Sequence, residues 1–161
     1  MKKIAIFVEG QTEQLFVEKL LQEIAGRKNI SVTLYQLRGG SKSPKQQIPV
    51  SNKSYSLQSP MATHEVLIYD CEKNKKVKSD ILEEGPGLKA QGYSKILGIR
   101  DLFPLSRTEL TKLERGLKFI PPHYQPLSLP YDIIVAVMEV EAWFLAECNH
   151  YNCIDVNLSL S

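Results

Sequence analysis

The sequence predicts an α/β fold, a mostly parallel sheet flanked by helices. Three observations point to it: short uninterrupted apolar runs rich in strand formers, amphipathic stretches between them, and acidic residues placed repeatedly where an apolar run ends. Runs that are apolar on successive residues suit strands covered on both faces, and helices on either side of a parallel sheet supply that cover.

The elements follow in order. Ile4, Ala5, Ile6, Phe7 and Val8 are apolar one after another, which predicts a central strand over 3–8. The charged start and short apolar run superficially resemble a signal peptide, but Glu9 interrupts it and no small-residue cleavage site follows. After Gly10, Phe16, Leu20 and Ile24 recur every four residues beside Val17 and Leu21, predicting an amphipathic helix that ends near Gly26. Residues 30–37 alternate and are β-branched and aromatic, which predicts a second strand. Residues 38–64 hold Gly, Ser, Pro, Lys and Gln and no Asp or Glu, so a polar excursion loop is expected there. Its Arg38, Lys42, Lys45 and Lys53 have no acidic neighbour in the sequence. They read as a solvated loop or, more sharply, as an arm contacting nucleic-acid phosphates.

A third strand is predicted over 65–69, leaving the sheet at Asp70-Cys71-Glu72. Residues 77–91 suit a helix broken at Gly85-Pro86-Gly87, and 95–99 a fourth strand ending in Arg100-Asp101. Ser106-Arg107-Thr108-Glu109 has capping-box spacing and opens a helix carrying Leu110, Leu113 and Leu117, stopped by Gly116 and Pro121-Pro122. Residues 132–138 form an apolar fifth strand running into Glu139-Val140-Glu141-Ala142-Trp143, whose continuation to Glu147 reads as a short helix. The weakly patterned tail over 149–161 is compatible with a domain truncated at its C-terminus.

A chain of 161 residues fits one domain spanning 1–161, and a 43% hydrophobic share is enough for a core. No uncharged apolar run approaches the roughly 18 residues of a membrane span, so a soluble protein without a membrane partner is expected. Cys71, Cys148 and Cys153 give neither an even disulfide framework nor a zinc spacing, which favours a reducing cytoplasm. A net charge of +2 gives no warrant for nucleic-acid binding, so local charge must carry any such argument. His64 and His123 stand beside no nucleophile motif, and Gly39-Gly40-Ser41-Lys42 is not a complete phosphate loop.

The strand-end acids are Glu9, Asp70 with Glu72, Asp101, and Glu139 with Glu141. Carboxyl ends of adjacent parallel strands converge in one crevice, and gathered carboxylates repel unless a cation joins them. Hard oxygen ligands suit Mg²⁺ or Mn²⁺. Asp70 and Glu72 point the same way if their strand continues, and Glu13 lies four residues beyond Glu9, so each pair is placed to share an ion. Singly, Glu13 also reads as a helix N-terminal charge, and Glu72, before Lys73, Lys75 and Lys76, as part of a solvated turn.

Val8-Glu9-Gly10-Gln11-Thr12-Glu13 resembles the Glu-Gly motif that opens TOPRIM domains, in the form found in overcoming-lysogenization-defect (OLD) nucleases and small TOPRIM-like relatives. Asp70-Cys71-Glu72 resembles that family's Asp-x-Asp, with Glu in the second place, and Glu139-Val140-Glu141-Ala142-Trp143-Phe144-Leu145 resembles a late acidic motif. The resemblance implies a Rossmann-like TOPRIM fold and Mg²⁺- or Mn²⁺-dependent phosphodiester hydrolysis of DNA or RNA. Glu9, Asp70, Glu72 and Glu141 would be catalytic; Glu9, Glu13, Asp70, Glu72, Glu139 and Glu141 would hold metal. No Lys or Arg closely follows Glu141, and Arg100 is the candidate to supply that charge. An ABC- or AAA-type ATPase partner in prokaryotic anti-phage defence is also implied, with room for a homo-oligomer. Two further readings stay open: a catalytically weak TOPRIM-like module that regulates a partner or senses a phage protein, and a phosphotransferase or primase-like enzyme on the same metal site.

Overall fold

The computed structural model describes residues 1–40, 43–50 and 61–137. Among them, β1 (Lys2–Val8), β2 (Ile30–Gly40), β3 (Ser43–Pro49), β4 (His64–Asp70), β5 (Lys95–Asp101) and β6 (Tyr131–Ala136) form one sheet in the order β3-β2-β4-β1-β5-β6. All neighbours are parallel except β2 and β3. The helices are α1 (Gln11–Ala25), α2 (Lys76–Ala90) and α3 (Leu110–Lys118), the last entered through a 3-10 turn at Arg107–Glu109.

The apolar run of β1 is explained by its place inside the sheet. Ala5 and Phe7 join the layer under α2, with Val77, Ile81 and Leu88. Ile6 and Val8 join the layer under α1, with Val17, and with Phe16 and Leu21 packed against it. Side chains alternate between faces along a strand, so burial of both faces removes the polar half of the pattern. Tyr69 stacks between Phe7 and Tyr35 at ring distances of 4.8 and 5.7 Å. Gly98 lets α2 approach β5, since a Cβ there would stand 2.9 Å from Ile81 Cδ1 and 3.0 Å from Ile133 Cγ1. Gln14 ties α1 to the sheet by donating from Nε2 to the carbonyls of Tyr35 at 3.0 Å and Ile68 at 2.9 Å.

The order expected from the sequence is observed, with five corrections. The excursion loop over 38–64 is in part ordered sheet: β2 runs on to Gly40, turns through Gly39 and Gly40 at φ 89° and 94°, and returns antiparallel as β3. Its prolines are tolerated because β3 lies at the sheet edge. Next, α2 is not broken at Gly85-Pro86-Gly87. Pro86 faces solvent, while Ile81, Leu82, Gly85 and Leu88 are buried on either side of it and hold the turns together.

The third correction concerns α1, whose bounds match but whose buried face is rotated: Glu13, Gln14, Val17 and Glu18 are buried, whereas Leu20 and Ile24 are 41% and 73% exposed. Fourth, α3 passes Gly116 and ends at Lys118. Its predicted start is present, with the Glu109 carboxylate accepting from Ser106 N at 3.0 Å and Ser106 Oγ at 3.2 Å. Last, β6 ends at Ala136, short of the expected 138, and the readings placed on Glu139, Glu141, Trp143, Cys148 and Cys153 lie outside the described residues. No described helix is long and apolar enough to cross a membrane.

Candidate functional site

The connection β1-α1-β2 passes across one face of the sheet and β4-α2-β5 across the other. Adjacent strands β1 and β4 therefore send their chains to opposite faces, and their carboxyl ends flank a topological switch point, where open α/β sheets form a ligand crevice. Asp70 ends β4 in register with Val8, and Glu9 follows directly. The strand order thus puts Glu9 and Asp70, two of the acids singled out in the sequence, at adjacent strand ends.

Their surroundings differ. Asp70 is 5% exposed and leans toward β2. Its Oδ1 accepts from the Glu72 backbone N–H at 2.7 Å and its Oδ2 from Gln36 Nε2 at 3.3 Å. The Gln36 amide is in turn oriented by Arg38, whose Nε donates to Gln36 Oε1 at 3.1 Å. Burial pushes the Asp70 carboxyl above its ordinary 3.8; the hydrogen bonds from Glu72 and Gln36 pull it back, the Glu72 charge raises it again and Arg38 lowers it. Glu9 instead leans toward β5, accepting from the Asp101 N–H at 3.4 Å. Next to Asp101, Arg100 is half-buried: desolvation draws its guanidinium below the usual arginine range, and the charge of Glu9 opposes that.

Glu72 does not continue the strand. It adopts φ 61°, a left-handed conformation that a glutamate enters at a cost of about 1 kcal/mol or more. The premise that Asp70 and Glu72 point the same way therefore fails. Glu72 turns instead to Arg38 Nε at 3.4 Å and Lys76 Nζ at 3.5 Å. Glu13 is buried with its carboxylate folded over Gly10 at the start of α1, the position the helix dipole favours for negative charge.

The basic residues also separate. Arg38 stays open, its side chain 58% exposed. Lys45 does not reach out as a phosphate contact: its side chain is 14% exposed, with Nζ 2.7 Å from Asp80 and 2.5 Å from Glu83 on α2. Its partners lie far along the chain, so a count of nearby acids could not find them. Lys42 and Lys53 are outside the described residues.

A cleft of about 340 Å³ opens at this end of the sheet, lined by Gln11, Gln14, Gln36, Arg38 and Asp70 and walled by residues 48–50 of the β3 end. Gln14 and Gln36 were not among the residues singled out in the sequence. Their signal was faint: each is an uncharged polar residue interrupting an apolar pattern. Among the described residues no three His, Cys, Asp or Glu side chains come together as a metal-holding group. The donor chemistry nonetheless suits a hard cation, since Mg²⁺ is commonly held by one or two carboxylates with water in its remaining positions. Asp70, a buried carboxylate facing this cleft, and Glu9, at the neighbouring strand end, are the residues that would hold it. No protein-family model, no curated protein and no solved structure matches this chain.

Proposed function

We propose that this chain is a TOPRIM-like, Mg²⁺- or Mn²⁺-dependent nuclease subunit that hydrolyses DNA or RNA phosphodiesters beside an ABC- or AAA-type ATPase in prokaryotic anti-phage defence. The observation that carries the reading is the placement of Glu9 and Asp70 at adjacent parallel strand ends, at the switch point of the sheet. A divalent cation held there by Glu9 and Asp70 would supply Lewis-acid charge to a phosphoryl group and acidify water. The chain's own part is positional. Gln36 and the Glu72 N–H fix the Asp70 carboxylate, Arg38 fixes Gln36 and presents its exposed guanidinium to a phosphate, and Arg100 offers a second positive charge beside Glu9. Glu13 borders the same strand end, and Glu139 and Glu141 are the acids the sequence offers for a second ion.

The test is cleavage of plasmid DNA and of RNA in Mg²⁺ or Mn²⁺, by the chain alone and with its neighbouring gene products. Glu9→Ala is expected to lower the rate at least about 100-fold, the scale of losing a main electrostatic contributor. Metal-dependent cleavage by Glu9→Ala equal to wild type would overturn the assignment.

A second reading, a regulatory module of weak or no activity, draws on one observation: Glu72, in the place of the family's second Asp, is engaged by Arg38 and Lys76. Metal binding by calorimetry without cleavage in either preparation would favour it.

A further inference from the structure

A second cleft, of about 350 Å³, lies beyond the carboxyl end of β5 between α2 and α3. Four cations line it, Lys75 and Lys78 from α2 and its approach, Arg100 from β5 and Lys112 from α3, against one carboxylate, Glu109. That carboxylate is committed to Ser106 at the start of the 3-10 turn. Lys78 is partly spent on structure, donating to the carbonyls of Gly116 and Phe119 at the end of α3. Lys75 and Lys112 are exposed and in no ion pair among the described residues, and Arg100 Nε is buried without a hydrogen-bond partner.

The walls between these charges are apolar, Leu105 and Leu113 among them. Two large exposed aromatic side chains are close in the chain to residues lining the cleft: Phe103, 65% exposed, two residues before Leu105, and Phe119, 62% exposed, two residues after Leu117. Both are anchored through their backbones. Asn74 donates to the carbonyls of Asp101 and Phe103, at 2.8 and 3.0 Å, and Lys78 holds the carbonyl of Phe119 with its ammonium 5.9 Å from that ring's centre. Lysines interleaved with aromatic rings are how proteins track single-stranded nucleic acid, cations on the backbone and rings under the bases.

We infer that the α2–α3 cleft is a binding groove for single-stranded nucleic acid, with Lys75, Lys112 and Arg100 contacting phosphates and Phe103 and Phe119 stacking on bases. Arg100 lines the groove and its guanidinium interacts with the charge of Glu9, so a strand lying there passes toward Glu9. A duplex, whose bases are already stacked, cannot use the two rings. The inference rests on the nucleic-acid reading above for the nature of the polymer.

The test is equilibrium binding by fluorescence anisotropy in EDTA, where cleavage cannot occur, with thymidylate and uridylate oligomers of about 12 nucleotides and a duplex of equal length. Lys75→Glu/Lys112→Glu should weaken single-strand binding at least about tenfold and reduce the slope of log affinity against log salt by about 1.4, two contacts at about 0.7 each. Phe103→Ala and Phe119→Ala should each weaken the single strand at least about fivefold and the duplex little. All four substituted residues are exposed, so folding is not at stake. Wild-type affinity and slope in the double lysine variant would overturn the groove, and equal losses for single strand and duplex in the phenylalanine variants would overturn its preference for single strands. The two readings fail separately. Cleft-dependent binding without Glu9-dependent cleavage upholds the groove and sinks the nuclease, and Glu9-dependent cleavage with binding indifferent to the cleft does the reverse.

Discussion

Replacing Lys45 with methionine removes the cation that joins β3 to α2. The ammonium lies 2.7 Å from Asp80 and 2.5 Å from Glu83, and the Lys45 and Asp80 side chains are only 14% and 4% exposed. Methionine keeps the apolar stem but leaves Asp80 as a buried charge without its partner, and Asp80 Oδ2 already has no hydrogen bond. Removing one member of a buried pair typically costs about 3 to 5 kcal/mol, whereas an exposed pair is worth about 0 to 1. Glu83, 41% exposed, adds little, so a loss near 3 kcal/mol is expected.

The loss should depend on pH in a definite direction. Burial draws the Lys45 ammonium down, but hydrogen bonds with Asp80 and Glu83 more than offset it and hold it above its ordinary 10.5. A raised folded value means stabilisation that is complete below 10.5 and lost as pH rises through the folded value. For Glu83, burial pushes upward but the bonds from Lys45 and Tyr124 bring it below its ordinary 4.5, so its stabilisation is present above 4.5 and lost as pH falls through the folded value. The gap between wild type and Lys45→Met is therefore widest between these limits and narrows in acid. Urea unfolding with unchanged m reads it. Lys45→Met/Asp80→Asn should recover at least about 2 kcal/mol, because no buried charge is then left alone. A single-variant loss under about 1 kcal/mol, or a double variant no more stable than the single, would refute the reasoning.

Three further outcomes follow from features already given. Gly98→Ala drives a methyl to within 2.9 to 3.1 Å of Ile81, Ile133 and Val77, so urea unfolding should show a loss of about 1 to 3 kcal/mol; a neutral result would mean α2 and β5 have room to part. Asp70→Asn should abolish stabilisation by Mg²⁺ or Mn²⁺, which for wild type at 100 times Kd amounts to about 2.7 kcal/mol by thermal melting. Without metal, the raised Asp70 value predicts that wild type loses stability as pH rises from 3.8 through it, and that Asp70→Asn lacks this loss. A metal-induced shift of equal size in Asp70→Asn would remove Asp70 from the cation site.

What sequence carries about this molecule is largely local. Strand β1 was legible because burial on both faces leaves an unbroken apolar run, and the start of α3 because its capping box closes within four residues. Glu9 and Asp70 were legible as acids bounding such runs. The sequence misjudged α1 because Glu13, Gln14 and Glu18 take buried positions, Gln14 by donating to carbonyls of the sheet, leaving Leu20 and Ile24 outside, and periodicity counts only apolar residues. It misjudged β3 because an edge strand needs only a partner, and that partner, β2, was assigned too short an end.

By itself, then, the sequence determined the α/β class, the order of the strands and helices through β6 other than β3, and that Glu9, Asp70 and Asp101 stand at strand ends, since all of these follow from short-range patterns. Only the tertiary structure decided that β1 and β4 are neighbours, that Lys45 is bound to α2 rather than offered to a phosphate, that Glu72 turns away to Arg38 and Lys76, and that Lys75, Lys78, Arg100 and Lys112 line one cleft. Each of these depends on groups far apart in the chain, and which of them meet is fixed by sheet order and crossover geometry, which no local pattern encodes.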